Sequence, residues 1–204
     1  GWFRRLLHKR KPSSVESSLN SSHSSSSSPP SSSFSAQSSS SSPSCSPDIS
    51  ASGSPRWAKS YDICICHSEG DLELVEELVS YLEGQPQRFR VFLQLRDGAA
   101  GGALVSELCG AVQSSHCWVL LITPAFLRDP WCRYQMHQAL AEAPVANGRA
   151  IPVLKDVDRR EYPRELRNIY YISMALKDSS FRQIRDAVTR YLQELCQSST
   201  SSVE

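Results

Sequence analysis

The chain lacks two features that would place it among membrane-spanning or secreted proteins. No stretch of its 204 residues approaches the roughly 20 consecutive apolar residues of a spanning helix. The apolar pieces near the start, Trp2-Phe3 and Leu6-Leu7, are separated by arginines and do not form the core of a signal peptide. Seven cysteines occur without regular spacing, and we expect them to stay reduced inside the cell. Any membrane contact should therefore be peripheral.

The chain also lacks recognisable motifs for nucleotide, metal or nucleophile chemistry. Its glycine-rich stretch, LRDGAAGG at 95–102, is not followed by the Lys and the Ser or Thr that a P-loop needs. On an extended strand Cys64 and Cys66 fall on one face and His67 on the other, and no second ligand pair completes a metal site. The histidines lie apart, and there is no G-x-S-x-G elbow. The sequence therefore predicts no catalytic residue, no metal and no cofactor.

Composition divides the chain into four parts. Residues 1–12, which we call the basic head, carry five basic residues and no acidic one. This leaves 17 basic against 21 acidic residues elsewhere. Residues 13–56 are mostly serine with scattered proline and too few apolar side chains to offset the entropy of ordering, so we predict a disordered tether. Residues 57–197 are dense in apolar side chains and suit one globular domain. Residues 198–204 are predicted to be a disordered tail.

Apolar runs in the third part alternate with amphipathic segments. Five of these runs are predicted strands, at 61–66, 90–94, 117–123, 150–154 and 169–173. Ser68 is expected to open the first helix through a capping-box-like contact, and Gly84 to end it. In the second helix Leu104, Leu108 and Val112 share one face. Strands that alternate with helices indicate an α/β fold with a central parallel sheet and right-handed crossovers.

Three segments of the domain resemble the Toll/interleukin receptor (TIR) domain family. YDICICHSEGD at 61–71 resembles the family's first box, an apolar strand led by an aromatic-Asp pair. LRDGAAGG resembles the second box, R-D-x-x-P-G, with Ala100 in the place of the usual proline. LLITPAFLRDPWCRYQ at 120–135 resembles the third strand and the W-C-x-Y segment, and Phe181-Arg182 is the nearest candidate for the third box. The resemblance covers residues 57–197 and implies a flavodoxin-like five-stranded parallel sheet with helices on both faces, preceded by a disordered tail.

The resemblance implies signalling rather than catalysis. Some TIR domains hydrolyse NAD with a glutamate in the helix after the third strand, and here Gln135 occupies that place. An amide cannot act as an acid, a base or an anionic stabiliser, so an NAD-hydrolysing enzyme is the disfavoured alternative. Family members with a basic head, a tether and a lone TIR domain are adaptors of innate immunity. They bridge the TIR domains of Toll-like receptors to a downstream adaptor that carries TIR and death domains.

The resemblance also implies partners and a location. The partners are those TIR domains, further copies of the chain in an oligomer or filament, and an anionic phosphoinositide membrane, with no nucleic acid. TIR domains are expected to assemble through heterologous contacts, in which a loop of one subunit meets a different surface of the next. The implied location is the cytoplasm, peripheral on the inner face of the plasma membrane.

The basic head has the layout of a short interfacial helix. On a helical wheel its apolar residues fall within an arc of roughly 140 degrees, with the basic residues mostly opposite. Five charges near an anionic leaflet supply at most roughly 5 kcal/mol, so attachment should be reversible and salt-sensitive. A nuclear-localisation or nucleic-acid patch is the alternative, but it has no use for the paired apolar residues. The candidate lipid-binding residues are Arg4, Arg5, Lys9, Arg10 and Lys11, and the candidate membrane-inserting residues are Trp2, Phe3, Leu6 and Leu7.

The second-box loop is the predicted protein contact. It follows a strand, where open α/β folds carry function, and its glycines let the backbone bend. Two interpretations stay open for Arg96 and Asp97, namely direct contact with a partner or local pairing that braces the loop. The candidate loop residues are Arg96, Asp97, Gly98, Ala99, Ala100, Gly101 and Gly102. Further interaction candidates are Asp71, Tyr61, Tyr81 and Trp131, with half-buried packing as the alternative for the two tyrosines.

Overall fold

A five-stranded parallel sheet lies at the centre of the computed structural model, which describes residues 48–143 and 147–200. The strand order is β2-β1-β3-β4-β5. The strands are β1 Tyr61–Cys66, β2 Val91–Phe92, β3 Ser115–Ile122, β4 Ala150–Leu154 and β5 Ile172–Ser173. Each neighbouring pair is parallel. The predicted flavodoxin-like α/β class is therefore confirmed, and β1 and β4 have the predicted bounds.

Helices cover both faces of the sheet. They are α1 Leu72–Glu83, α2 Gln94–Asp97, α3 Leu104–Gln113, α4 Pro124–Arg128, α5 Pro130–Glu142 and α6 Lys177–Thr200. Helices α1 and α6 pack on one face, and α3, α4 and α5 pack on the other. Single 3₁₀ turns occur at Pro55–Ala58, Glu69–Asp71 and Arg164–Leu166. None of the helices within the described ranges has the length and apolar character needed to cross a membrane.

The strands are buried because each face has its own core. Ile63 and Ile65 of β1 enter the core beneath α1 and α6, whereas Cys64 and Cys66 enter the core beneath α3 and α5. Alternate residues of a strand point to opposite faces, so a doubly covered strand must be apolar throughout. All eight residues of β3 are buried for this reason. The two cysteines are packing residues, and within 48–143 and 147–200 no group of three or more potential ligands is arranged to hold a metal.

One local prediction about the helices is wrong. The Ser68 hydroxyl donates to the Asp71 carboxylate instead of capping α1, and a 3₁₀ turn separates β1 from the helix. On α3, Leu108 and Val112 are buried, but Leu104 is 56% exposed because it lies in the first turn, beyond the edge of the core. Gly84 ends α1 as predicted.

The folded domain extends beyond both ends of the predicted range 57–197. Ile49 is buried in the core beneath α6, and the Arg56 side chain is fully buried, so the predicted tether includes residues that belong to the domain. Serine-rich composition concealed them, because Ile49 is the one large apolar side chain that the described part of this segment, 48–56, adds to the core. At the other end α6 continues to Thr200, three residues past the predicted end of the domain. The head, the tether up to residue 47 and residues 201–204 lie outside the described part of the chain.

Candidate protein-interaction surface

The second-box segment begins as a short helix and not as a loop. Strand β2 ends at Phe92, and α2 follows after a single residue. The Asp97 carboxylate accepts a hydrogen bond of 2.8 Å from the backbone N–H of Leu93, so the side chain at the end of this turn holds its beginning. The predicted loop residues Arg96 and Asp97 are therefore helical, and the irregular part of the segment is 98–103.

Arg96 is held by three groups at the base of this segment. Its guanidinium lies 2.8 Å from Glu83 at the end of α1 and 2.9 Å from Asp97, and it also donates to the carbonyl of Val91. The hydrogen bond to Asp97 raises the pKa of Arg96 above its usual value against the opposing effect of burial, and Glu83 adds to the increase. The structure thus contains the local pairing that braces the loop. Since the Arg96 side chain remains 42% exposed, solvent weakens these pairs and a partner can still reach it.

Residues 98–106 form a continuous exposed segment. Gly101 has φ of +84°, a conformation that side chains other than glycine rarely adopt. A Cβ at Gly98 would lie 2.7 Å from the carbonyl oxygen of Gln94, so α2 can end in this way only with glycine. The segment finishes with two apolar side chains in the first turn of α3, Leu104 and Val105, which are 56% and 46% exposed. We call 98–106 the exposed segment, and its role as a protein contact remains a prediction.

A small cavity of about 180 Å³ lies behind the exposed segment. Its polar lining includes His67, Glu69, Gln94 and Gln135, and its apolar lining includes Leu104. Burial lowers the pKa of His67, whose Nδ1 lies 2.8 Å from the Ser68 carbonyl, so the ring is neutral at pH 7. The buried side-chain nitrogen of Gln94 has no hydrogen-bond partner within the described ranges. The volume is below the roughly 300–1,000 Å³ of pockets that enclose a drug-sized ligand.

The remaining candidates are half-buried and packed against neighbours. Asp71 accepts a hydrogen bond of 2.7 Å from the Thr123 hydroxyl, which ties the residue before α1 to the residue after β3. The Tyr61 ring lies 5.2 Å from Phe92, and the Tyr81 ring lies 5.5 Å from Phe181. Half-buried packing, the alternative stated for both tyrosines, is what the structure contains.

The structure brings only part of the predicted set together. Trp131, stacked on Tyr134 at 5.4 Å, lines the same small cavity as Leu95 and Leu104 and thus borders the exposed segment. Tyr61 begins β1, whereas Asp71 follows its other end, so these two do not share a site. The head residues lie outside the described part of the chain.

Sequence reasoning missed three residues of this surface. Glu83 completes the pairing of Arg96, and no spacing rule links a residue before β2 with one after it. Leu104 was placed on one helix face with Leu108 and Val112 without being singled out as exposed, and Val105 was not considered. The signal that could have found both is their position directly after a polar, glycine-rich loop, where a helix has not yet reached the core.

The parallel sheet order and the braced second-box segment define a TIR domain, and the chain belongs to the TIR domain family. A family model described as TIR domain matches residues 63–186. The chain is 56% identical over 197 residues to the human Toll/interleukin-1 receptor domain-containing adapter protein, covering 95% of this chain and 89% of that protein. Mouse Toll-like receptor 2 is 29% identical over 125 residues, covering 57% of this chain and 16% of the receptor.

Solved structures show the same fold. The TIR domain of the Toll-related receptor TRR-2 from Hydra magnipapillata matches with a TM-score of 0.54 and 22% identity, covering 64% of this chain and 99% of that one. A TIR-STING receptor from C. gigas matches with a TM-score of 0.57 and 22% identity, covering 64% of this chain and 40% of that one. At this identity the likeness concerns the fold alone.

Proposed function

We propose that the chain is a non-enzymatic intracellular signalling adaptor of innate immunity. Its basic head holds it on phosphoinositide-containing membrane at the inner face of the plasma membrane. Its TIR domain joins the TIR domains of Toll-like receptors to a downstream adaptor that has TIR and death domains. The observation that carries this proposal is that the likeness to the human adapter extends over 95% of the chain, well beyond the family match at 63–186.

The exposed segment is the proposed docking element. It offers two apolar side chains, Leu104 and Val105, beside a loop that can adapt its backbone. The paired Arg96 fixes the base of the loop, so the entropy lost on docking is confined to the residues beyond Asp97. The exposed segment of one subunit would contact a different surface of the next subunit, which is a heterologous contact. Repeated contacts of this kind extend the assembly into an oligomer or filament and do not close it into a symmetric dimer.

Co-assembly tests this element. The full chain is mixed with a Toll-like receptor TIR domain, and assembly is followed by light scattering and electron microscopy. Replacing Leu104 and Val105 together with serine should weaken co-assembly by about tenfold or more, because interface energy concentrates in a few apolar contacts. The matched control is Leu176→Ser, since Leu176 is 72% exposed at a different place, before α6. Equal assembly of the double variant and the control would exclude the exposed segment as the contact.

A second pair of variants separates bracing from direct contact at Arg96. Glu83→Gln removes one partner of Arg96 and leaves the guanidinium in place, whereas Arg96→Gln removes the guanidinium. If Arg96 only braces the loop, both variants should reduce co-assembly. If Arg96 binds the partner directly, Glu83→Gln should leave co-assembly intact or strengthen it, because the guanidinium is then freer to pair.

Liposome sedimentation tests the membrane part of the proposal. Changing Arg4, Arg5, Lys9, Arg10 and Lys11 to Gln should abolish sedimentation with phosphoinositide liposomes, because the attraction of basic residues to the anionic leaflet is lost. Parent chain with liposomes that lack anionic lipid provides the baseline, and raised salt should release the parent chain. Unchanged sedimentation of the charge variant would overturn the proposed membrane contact.

Two observations support a non-enzymatic function. Gln135 stands where NAD-hydrolysing relatives have glutamate, and the cavity that it lines holds only about 180 Å³. The full chain should therefore release no nicotinamide from NAD above the level of a hydrolysing TIR domain whose glutamate has been replaced. Turnover above that level would contradict the proposal and favour the enzyme.

A further inference from the structure

A second, larger cavity lies on the segment that connects β4 to β5. Its volume is about 710 Å³, and it is lined by Arg159, Tyr162, Arg167, Ile169, Tyr170 and Tyr171. No residue of the exposed segment lines it, and none of the six lining residues is acidic. It is therefore a separate feature of the surface.

The two arginines of this cavity are unpaired. Within the described part of the chain, neither Arg159 nor Arg167 makes a side-chain hydrogen bond or an ion pair. Some arginines of the domain are held by neighbouring groups, as Arg96 is by Glu83 and Arg149 is by the carbonyls of Ser115 and His116, whereas within the described ranges these two lie together on one cavity without such partners. Two guanidinium groups without a counter-charge on one cavity favour an anionic ligand, because their planar donors match the oxygens of a phosphate or carboxylate.

Tyr162 provides a third donor. Its side chain is only 6% exposed, and its buried hydroxyl has no hydrogen-bond partner within the described ranges. Burial raises the pKa of Tyr162 to about 12, so the hydroxyl keeps its proton at neutral pH. Buried polar groups in folded proteins are nearly always paired, and an acceptor that enters the cavity would satisfy this one.

Aromatic rings form the rest of the wall. Tyr171 packs on Tyr162 with ring centroids 5.3 Å apart, and it is 42% exposed. The Tyr170 side chain is fully exposed and makes no ring contact within the described ranges. Exposed tyrosines beside a cavity of this size offer stacking surface for a planar ring that extends from the anionic group.

From this arrangement we propose that the cavity binds a phosphate monoester carried on an aromatic ring, the chemistry of a phosphotyrosine side chain. Arg159 and Arg167 hold the phosphate oxygens, and the Tyr162 hydroxyl donates to one of them. Tyr170 and Tyr171 cover the ring. Three donors fit the dianionic phosphate, with its three free oxygens, better than the single charge of a carboxylate.

An NMR titration of the full chain with phenyl phosphate tests the proposal. Backbone amide shifts of Tyr170 and Tyr171 should change in a saturable way, and inorganic phosphate should bind at least about tenfold more weakly because it lacks the ring. The double variant Arg159→Gln/Arg167→Gln should lose at least about tenfold in affinity, as expected when charge-assisted hydrogen bonds are removed. N-acetyl-phosphotyrosine amide, in a parallel titration, distinguishes a peptide-borne group, which should bind more tightly, from a small aryl phosphate, for which the two affinities are equal.

Two further variants test which residues of this region contribute to binding. Arg160→Gln removes a neighbouring exposed arginine that does not line the cavity, and it should leave binding unchanged. Tyr162→Phe keeps the ring and removes the unpaired hydroxyl, so it should fold normally while phenyl phosphate binds several-fold more weakly. The proposal is overturned if the shifts do not saturate, if inorganic phosphate binds as well as phenyl phosphate, or if Arg160→Gln and the double arginine variant lose the same affinity.

Discussion

The Asp62 carboxylate should be the most sensitive charged site of the domain. It is fully buried and accepts hydrogen bonds from Arg56 at 2.7 and 2.9 Å, from the Arg90 side chain at 2.8 Å and from the Arg90 backbone N–H at 2.8 Å. The Trp57 ring lies 5.0 Å from the Arg56 guanidinium and 4.7 Å from that of Arg90. One buried anion thus joins the segment before β1 to the segment before β2.

The change Asp62→Asn keeps the shape of the side chain and removes its charge. Fully buried Arg56 would then lack a counter-charge, and one of the two acceptor oxygens would be replaced by a donor. Breaking a buried pair in this way costs about 3–5 kcal/mol. For a domain of this size that corresponds to a fall in Tm of about 10 °C.

Urea and thermal denaturation followed by circular dichroism give both quantities. The matched control is Asp186→Asn, because Asp186 also pairs with an arginine, at 2.7 Å, but is 63% exposed. Its free energy of unfolding should change by less than about 0.5 kcal/mol. If Asp62→Asn unfolds within about 1 kcal/mol of the parent chain, well short of the cost expected for a broken buried pair, the carboxylate does not hold these segments together.

The same site predicts a pH dependence. Burial opposes ionisation of Asp62, but the hydrogen bonds from Arg56 and Arg90 outweigh it and hold the pKa below the ordinary value of 3.8. Because the folded-state pKa is lowered, the contribution is complete above the unfolded-state pKa and is lost as the pH falls through the folded-state value. Stability of the parent chain should therefore fall below pH 4, and Asp62→Asn should remove this part of the decline.

Two further predictions concern backbone space and thiol reactivity. Gly98→Ala should destabilise the domain by about 1–3 kcal/mol, because its Cβ would lie 2.7 Å from the Gln94 carbonyl oxygen. Gly53→Ala, with nothing within 4 Å of its Cβ, is the control, and equal denaturation midpoints would contradict the steric reason. In native-state alkylation, half-buried Cys109 should react before fully buried Cys117, whose pKa is raised by burial. Mass spectrometry after short reaction times measures the order, and equal rates would refute it.

Most of the fold could be predicted because the sheet is covered on both faces. Apolar runs such as 117–123 mark strands that must be buried on each side, and the helices between them set the parallel direction. The two edge strands were predicted too long. Strands β2 and β5 pair on one side only, so few residues meet the pairing geometry although the surrounding runs are apolar.

Less of the site could be predicted because its contacts cross between elements. The sequence locates Arg96 and Asp97 but not Glu83, since that pairing depends on the end of α1 lying beside α2. Arg56 was placed in the tether because its surroundings are rich in serine, whereas its role depends on Asp62 in the adjacent strand. The composition of a segment describes only that segment's own side chains, so it does not predict an ion pair that one of them makes with another element.

The departure at Ala100 changes how the exposed segment can work. A proline would fix its own backbone angle and restrict the residue before it, so the usual family loop is stiffened from within. In this chain the contacts of Arg96 and Asp97 restrict the backbone at the start of the segment, and this restriction ends at Gly98. In the proposed docking, any of the residues 98–103 that is fixed only on contact with the partner costs about 1–2 kcal/mol of backbone entropy. Burial of Leu104 and Val105 contributes at most about 1.5–3 kcal/mol each, so these two side chains offset only part of that cost, and the proposed docking needs further contacts from the rest of the exposed segment.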